Sequence, residues 1–334
     1  MTKNQTIHSN RDASVDNFRG IATISIIFIH TVFWSGRHYI PDYMRNIALF
    51  FDVPIFFLLA GFSLRLSQRL NPVKQIFKLI YFFTFVVIFI NLILGHFDFQ
   101  HILESITLNS AIVTRLRVID GSYWFVPMYC SALIASCGLI QTIGKTSLFL
   151  IPISIIYYVL HYNHLYSINL HFMGSSVNGL LFYTSVMLFG YYVYEYRGKI
   201  FWPLLSILSL CIFLTMIYYH PNDFDLQSSK FPTNLPYIIA SMVSIFLVMF
   251  CNSNKKIPLL NFVGNKAIFF YAGQGVGASV LYFIDQDFNM IWYYKLICLF
   301  CINLIITFIA SFILMFIYTT ISKIFYKFKS KLTV

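Results

Sequence analysis

The sequence predicts an all-α, polytopic integral membrane protein of about ten transmembrane helices, and three observations carry that prediction. First, 58% of the 334 residues are hydrophobic and 10% are charged, against roughly 45–50% and about 25% in soluble domains. Second, the apolar residues fall in blocks close to the roughly 20 residues a helix needs to cross a bilayer core. Third, Lys and Arg gather in alternate connections between those blocks. The same composition excludes a disordered chain, a collagen-like fibre and a disulfide-stapled secreted module. A soluble enzyme on a membrane anchor is excluded too, because no polar stretch is long enough to bury its own core.

Ten spans follow in order. The first, 20–35, comes after a polar segment holding Asp12 and Asp16, and no small-x-small cleavage site closes it, so it reads as a retained helix and not a signal peptide. The second covers 47–66. The third, 76–95, has Lys74 and Lys78 at its start. The fourth covers 123–142, and the fifth, 147–160, is short. Spans 178–194, 200–218 and 235–251 come next. The ninth, 262–284, is interrupted by Gly273, Gly275 and Gly277. The tenth, 291–320, runs into a basic tail that reads as an anchor against anionic lipid. One domain is expected over 1–334, with a tail at 1–18, a helical bundle at 19–320, a basic tail at 321–334 and no fused soluble domain. No internal repeat is evident.

The net charge of +11 is spread over many short loops, which suits membrane topology better than nucleic acid, so no nucleic-acid partner is expected. With the N-terminus in the cytoplasm, seventeen of the 23 Lys and Arg fall in inner segments, from Lys3, Arg11 and Arg19 to Lys331. The outer segments hold the other six: Arg37, Arg45, Arg115, Arg117, Lys230 and Lys295. That bias puts both termini in the cytoplasm. The longest polar excursions, 96–122, 161–177 and 219–234, then lie outside. Cys130, Cys137, Cys211, Cys251, Cys298 and Cys301 fall in apolar spans without metal-ligand spacing and read as buried small hydrophobes; no metal site is expected.

Titratable groups inside a bilayer are costly and each needs a reason. Of nine histidines only His30 lies within a span. Arg19 begins the same helix eleven residues earlier, close to three turns and roughly 16 Å along the axis, so both side chains share a face. A snorkelling arginine and a histidine bonded to a neighbouring helix would explain each singly. Together they mark a polar path entering from the cytoplasm, on which a neutral imidazole can serve as general base for a hydroxyl. Asp52, near the outer end of the second span, fits a helix start or loop as well as a function. Asn91, Asn178, Gln274 and Asn303 fit interhelical hydrogen bonding. Lys74 and Lys78 could hold phosphate, although positive-inside bias also explains them. Outer aromatics such as Trp34, Tyr39 and Tyr162 suit sugar rings but are equally expected as an interfacial belt.

The motifs then accumulate. Asp16-Asn17-Phe18-Arg19-Gly20 followed by His30 resembles the Asp-x-x-Arg-Gly and Arg-x10-His signature of the membrane acyltransferase-3 family. Pro54-Ile55-Phe56-Phe57-Leu58-Leu59-Ala60-Gly61-Phe62 resembles its Phe-Phe-x-x-Ser-Gly-Phe segment. Gly121-Ser122-Tyr123-Trp124-Phe125-Val126 is similar to its Trp-Phe-Leu segment opening a middle helix. The resemblance implies a ten-helix bundle in a bacterial cytoplasmic (inner) membrane. Such a bundle moves an acyl group, usually acetyl, from cytoplasmic acyl-CoA to a hydroxyl of a surface polysaccharide or lipid-linked sugar. It implies His30 and Arg19 as the catalytic pair, Arg19, Lys74 and Lys78 at the phosphates of coenzyme A, and Trp124 and Gln274 at the acceptor. His30 would deprotonate the acceptor or carry the acyl group itself. Membrane lipids and other polysaccharide-synthesis proteins are the implied partners.

Three departures stand out. Ala60 replaces the serine before Gly-Phe. Tyr271-Ala272-Gly273-Gln274 resembles a Tyr-x-x-His pattern with Gln274 in place of histidine. The extracytoplasmic esterase-like domain of some members is missing from this sequence. The rival from another class is a secondary transporter or flippase for a lipid-linked sugar or exopolysaccharide, which ten helices, a glycine-broken span and a lone intramembrane histidine also fit.

Overall fold

Helix α1 (Ala13–Trp34) starts where Asp12, in extended conformation, accepts the Ser14 backbone N–H on its side chain at 2.8 Å, satisfying a donor the helix itself leaves orphaned. The computed structural model describes residues 12–36, 39–95, 99–108, 116–168, 170–172, 175–219, 225–253 and 255–332. A short α2 (Asp42–Ala48) and a 3-10 turn (Leu49–Phe51) lead into α3 (Pro54–Ser67). Proline at the first helical position suits that start, and Gln68, at φ 51°, ends it in the left-handed conformation. Next come α4 (Val73–Ile93), α5 (Phe99–Ile106), α6 (Arg117–Ser122) and α7 (Phe125–Ile143). Gly144, at φ +54°, closes α7, and a 3-10 stretch to Phe149 turns the chain into α8 (Leu150–Tyr162). A two-residue antiparallel pair, His171–Phe172 with Ser175–Ser176, precedes α9 (Val177–Val193). The rest is α10 (Phe201–Tyr219), α11 (Leu226–Lys230), α12 (Leu235–Phe250), α13 (Pro258–Asn265), α14 (Ala267–Ile284) and α15 (Trp292–Leu332).

The chain is an all-α polytopic membrane protein, and each of the ten predicted spans holds one main helix, in order α1, α3, α4, α7, α8, α9, α10, α12, α14 and α15; the ninth opens on the end of α13 and breaks at Lys266. Seven helical runs among the described residues are long and apolar enough to cross a membrane by length and composition. The number falls below ten because Val118–Tyr162 is one run holding the fourth and fifth spans, while α9 and α12 have only 17 and 16 residues. Those two helices are about 25 Å long at 1.5 Å per residue. They are enclosed by neighbours, so protein and not lipid meets most of their surface.

Connections predicted for one side of the membrane meet one another. At the end where α1 begins and α15 finishes, Asn17 Nδ2 donates to Lys255 O at 2.7 Å, Gln141 Nε2 to Leu70 O at 2.7 Å, and Gly198 N to Met249 O at 2.9 Å. At the opposite end, Leu226 N donates to Asn46 Oδ1 at 3.1 Å and Tyr123 OH to Ser105 O at 2.9 Å, and the Lys295 ammonium faces the Tyr39 ring at 4.7 Å. Lys3, Arg11, Arg37 and Arg115 of the charge count lie outside the described residues, as do parts of the outer excursions and the chain end at 333–334.

Several expectations are corrected. Helix α14 runs unbroken through its glycines, which serve packing instead. A Cβ on Gly273 would lie 2.4 Å from Ser311 Oγ, and one on Gly277 2.3 Å from Asn303 Oδ1, so α15 approaches α14 only because both are glycine. Cys211, Cys251 and Cys301 are exposed, unlike Cys130 and Cys137; in a membrane the apolar medium around a small hydrophobe can be lipid. Helix α1 begins inside the predicted tail and α15 continues to Leu332, since a helix can outrun the hydrocarbon layer that hydropathy registers.

Candidate active site

Arg19 stands at the inner end of α1 and binds through both terminal nitrogens. Nη1 donates to Asp16 Oδ1 at 2.9 Å and Nη2 to Ser63 Oγ at 2.8 Å. Asp16 is buried one turn before Arg19, and Ser63 Oγ in turn donates to Leu59 O at 2.7 Å. The serine missing at Ala60 thus has a counterpart one turn later on the same face of α3, where its hydroxyl fixes the guanidinium. Arg19, Ala60 and Ser63 line a cavity of about 390 Å³, together with Gln75, Lys78, Phe125, Tyr129 and Tyr271 among others. Lys78 therefore meets Arg19 across one cavity. Lys74, one turn earlier on α4, is exposed and outside that lining.

A second cavity, of about 490 Å³, opens at the outer end between Trp124, His161, Tyr183, Lys230, Phe231 and neighbouring residues. Lys230 ends α11, which is only five residues long, and is 7% exposed; its ammonium lies 2.6 Å from Oδ2 of Asp52, which is 1% exposed. Tyr237 OH donates to the same oxygen at 2.8 Å. The ammonium also faces the rings of Trp124 at 5.2 Å and Phe231 at 5.4 Å. An ion pair so buried is tolerable only with such supplementary partners, and removing one member strands the other's charge.

Between the two cavities stands a septum of rings. Tyr183 stacks on Phe57 with centroids 4.3 Å apart and lies 6.2 Å from Trp124. Phe57 meets Phe125 edge-on at 5.8 Å, and Phe125 lies 5.0 Å from Tyr271. Trp124 and Tyr183 line the outer cavity, Phe125 and Tyr271 the inner one, and the linings named for the two share no residue.

His30 is half-buried, three turns along α1 from Arg19. Its Nδ1 is shut off from solvent and has no hydrogen-bond partner among the described residues. The charges that act on the imidazole are those of Lys230 and Asp52, and the amide beside it is Gln274. Gln274 is fully buried and comes up to the ring, yet neither Nε2 nor Oε1 completes a well-directed hydrogen bond. Asn178 and Asn303 behave otherwise. Asn178 Oδ1 accepts from Tyr157 OH at 2.6 Å, and Asn303 Nδ2 donates to Thr31 Oγ1 at 3.0 Å, both as interhelical ties.

Sequence reasoning left Asp52 open, counted Lys230 only as an outer cation, and passed over Tyr183, Tyr237 and Ser63. One signal was available: Asp52 is an acid inside an apolar block, which demands a cation somewhere else in the chain.

At the inner surface α1 is fixed by a second ion pair. Arg197 Nη2 donates to Asp12 Oδ2 at 2.7 Å, Arg197 Nη1 to Ser14 Oγ at 2.9 Å, and Tyr194 OH to Asp12 Oδ2 at 2.7 Å. Burial alone would raise the Asp12 carboxyl, but these hydrogen bonds and the Arg197 charge outweigh it and hold the group down at about 2.

The sequence model of the acyltransferase-3 family, described as an acyltransferase domain, matches residues 12–317. No curated protein and no solved structure shows significant similarity to the chain. The family match runs from the cap of α1 into α15 and takes in both cavities, the septum and His30; the chain belongs to the acyltransferase-3 family and is a membrane acyltransferase.

Proposed function

We propose that this acyltransferase takes an acyl group, acetyl first among candidates, from acyl-CoA at the inner end and delivers it to a hydroxyl of a cell-surface polysaccharide or lipid-linked sugar at the outer end. The membrane is the bacterial cytoplasmic one, and the acceptor comes from other polysaccharide-synthesis proteins. The observation that carries this reading is the pair of opposed cavities, Arg19 on one and Lys230 on the other, with His30 on α1 between them. The inner cavity has room for an acyl-thioester arm and not for a whole nucleotide, so the phosphates would meet Arg19 and Lys78 at its mouth, with Lys74 just outside, as point charges and one planar fork.

In the base mechanism, His30 takes the acceptor's hydroxyl proton as that oxygen attacks the thioester carbonyl. The carbon–sulfur bond breaks, and the departing thiolate recovers the proton to give free coenzyme A and an ester. The separate cavities favour a second route, in which the imidazole attacks first, coenzyme A leaves, and the acyl-imidazole is then opened by the hydroxyl. Both routes require the imidazole. His30→Ala should lower transfer by about 10²–10⁴-fold at wild-type protein levels in the membrane. The measurements are release of coenzyme A by purified protein and the ester-linked acetyl content of surface glycans in cells carrying only the variant. Transfer surviving His30→Ala would sink the proposal, and unchanged acetylation with reduced glycan export would point to the transporter. An acylated His30 peptide, trapped when acceptor is withheld, separates the carrier route from the base route.

A further inference from the structure

Behind Lys230, which lines the outer cavity, the buried Oδ1 of Asp52 has no hydrogen-bond partner among the described residues. Its other oxygen, Oδ2, is held by Lys230 at 2.6 Å and by Tyr237 OH at 2.8 Å, and Tyr183 lines the same cavity as Lys230. Orphaned groups of this kind are rare in folded proteins and ask for a missing partner. Asp52 Oδ1 needs a donor, and the Tyr183 hydroxyl on the same wall can donate or accept. Vicinal hydroxyls supply both from one small ring. A carboxylate or phosphate supplies acceptors only and would leave Asp52 unsatisfied.

Charge narrows the choice further. The cation on the described wall of the outer cavity is Lys230, and Asp52 already neutralises it at 2.6 Å. No unpaired Lys or Arg among the described lining residues would offset an acidic ligand, and the free oxygen of Asp52 would repel one. The Trp124 and Phe231 rings on the same wall offer the apolar surface that the C–H face of a pyranose covers. Lys230 is on that wall with Asp52 directly behind it at 2.6 Å.

From this we infer that Asp52, Lys230 and Tyr183 form a hydroxyl-reading subsite that selects an uncharged hexose as acceptor and presents one of its hydroxyls to His30. The inference rests on the glycan-acylation reading above. Asp52 and Lys230 are positioning residues, with Lys230 holding the carboxylate ionised and correctly turned.

The test uses full-length protein in lipid nanodiscs and follows coenzyme A release from acetyl-CoA. The acceptors are methyl glucoside and methyl galactoside, set against the corresponding uronides. The variants are Asp52→Asn and the double Asp52→Asn/Lys230→Met, which removes both charges together and so strands neither. Both should raise the KM for the neutral glycosides about tenfold to a hundredfold, with the KM for acetyl-CoA moving less than twofold. Wild-type protein should show a KM for the uronides at least about tenfold above that for the neutral glycosides, a comparison needing no variant. A double variant with wild-type acceptor KM would make the pair a structural tie and overturn the subsite. Uronides used as well as neutral glycosides would overturn the selection of an uncharged sugar. If no glycoside of either kind stimulates release by wild type, the glycan reading itself falls, and the inference with it.

Discussion

Replacing Gly264 by alanine tests whether the contact between α13 and α1 sets the position of Arg19. A Cβ at Gly264 would lie 1.8 Å from the Asp16 carbonyl oxygen and 2.8 Å from Gly20 N, where real contacts do not fall below 3.0 Å. The obstacle is backbone, so no rotamer change relieves it. Helix α13 must withdraw from α1 by at least about 1.2 Å, and Gly20 offers no slack, because its own Cβ would meet Leu260 O at 2.1 Å. Overpacking of this kind costs about 1–3 kcal/mol, and the backbone collision puts Gly264→Ala toward the upper figure. Asp16 is the residue pushed, and it carries Arg19 at 2.9 Å, so a displacement near 1 Å at the guanidinium should slow transfer by about 10²-fold. The assays are thermal unfolding in detergent and coenzyme A release against acyl-CoA concentration. The control is Gly138→Ala on α7, where a Cβ meets nothing within 4 Å and stability should change by less than about 1 kcal/mol. If Gly264→Ala melts and turns over like Gly138→Ala, the packing argument for Arg19 is wrong.

Three more outcomes are expected. Asp12 titrates at about 2 in the folded protein against an ordinary 3.8, so its ionised form stabilises the fold above pH ~4 by about 2 kcal/mol. That stability is lost as pH falls from ~4 through ~2, and Arg197→Ala should move the acid-induced loss upward in melting curves taken from pH 6 to pH 2. Arg19→Lys keeps the charge but cannot hold Asp16 and Ser63 together, and the lost charge-assisted bond should raise the KM for acyl-CoA by about tenfold or more. Lys78→Gln should raise the same KM further than Lys74→Gln, because only Lys78 lines the inner cavity; equal effects would mean that the donor is bound outside that cavity.

What the sequence made legible follows from what the bilayer forbids. All ten spans were readable because lipid demands unbroken apolar runs, and Arg19 and His30 stood out as the polar exceptions on one helix. The length of α9 and α12 was not readable, since enclosure by neighbours relieves a helix of matching the bilayer. The glycines of α14 looked like a break because sequence shows a missing side chain and not the Ser311 and Asn303 atoms that occupy its space. The Asp52–Lys230 pair was hidden for another reason: its members are 178 residues apart, and no local pattern joins an acid at a helix entry to a cation in an outer connection. Ser63 escaped because comparison with the family motif fixed attention on Ala60, one turn away.

The ring septum has an electrical consequence. A protein hollowed from both faces thins the barrier that holds a membrane potential, and what stands between the two cavities here is the layer from Tyr183 through Phe57 and Phe125 to Tyr271. An ion entering that layer would shed its water with only ring faces and edges in return, a heavy penalty in an apolar medium. The same packed rings that separate the two cavities thus insulate the membrane against current through the protein.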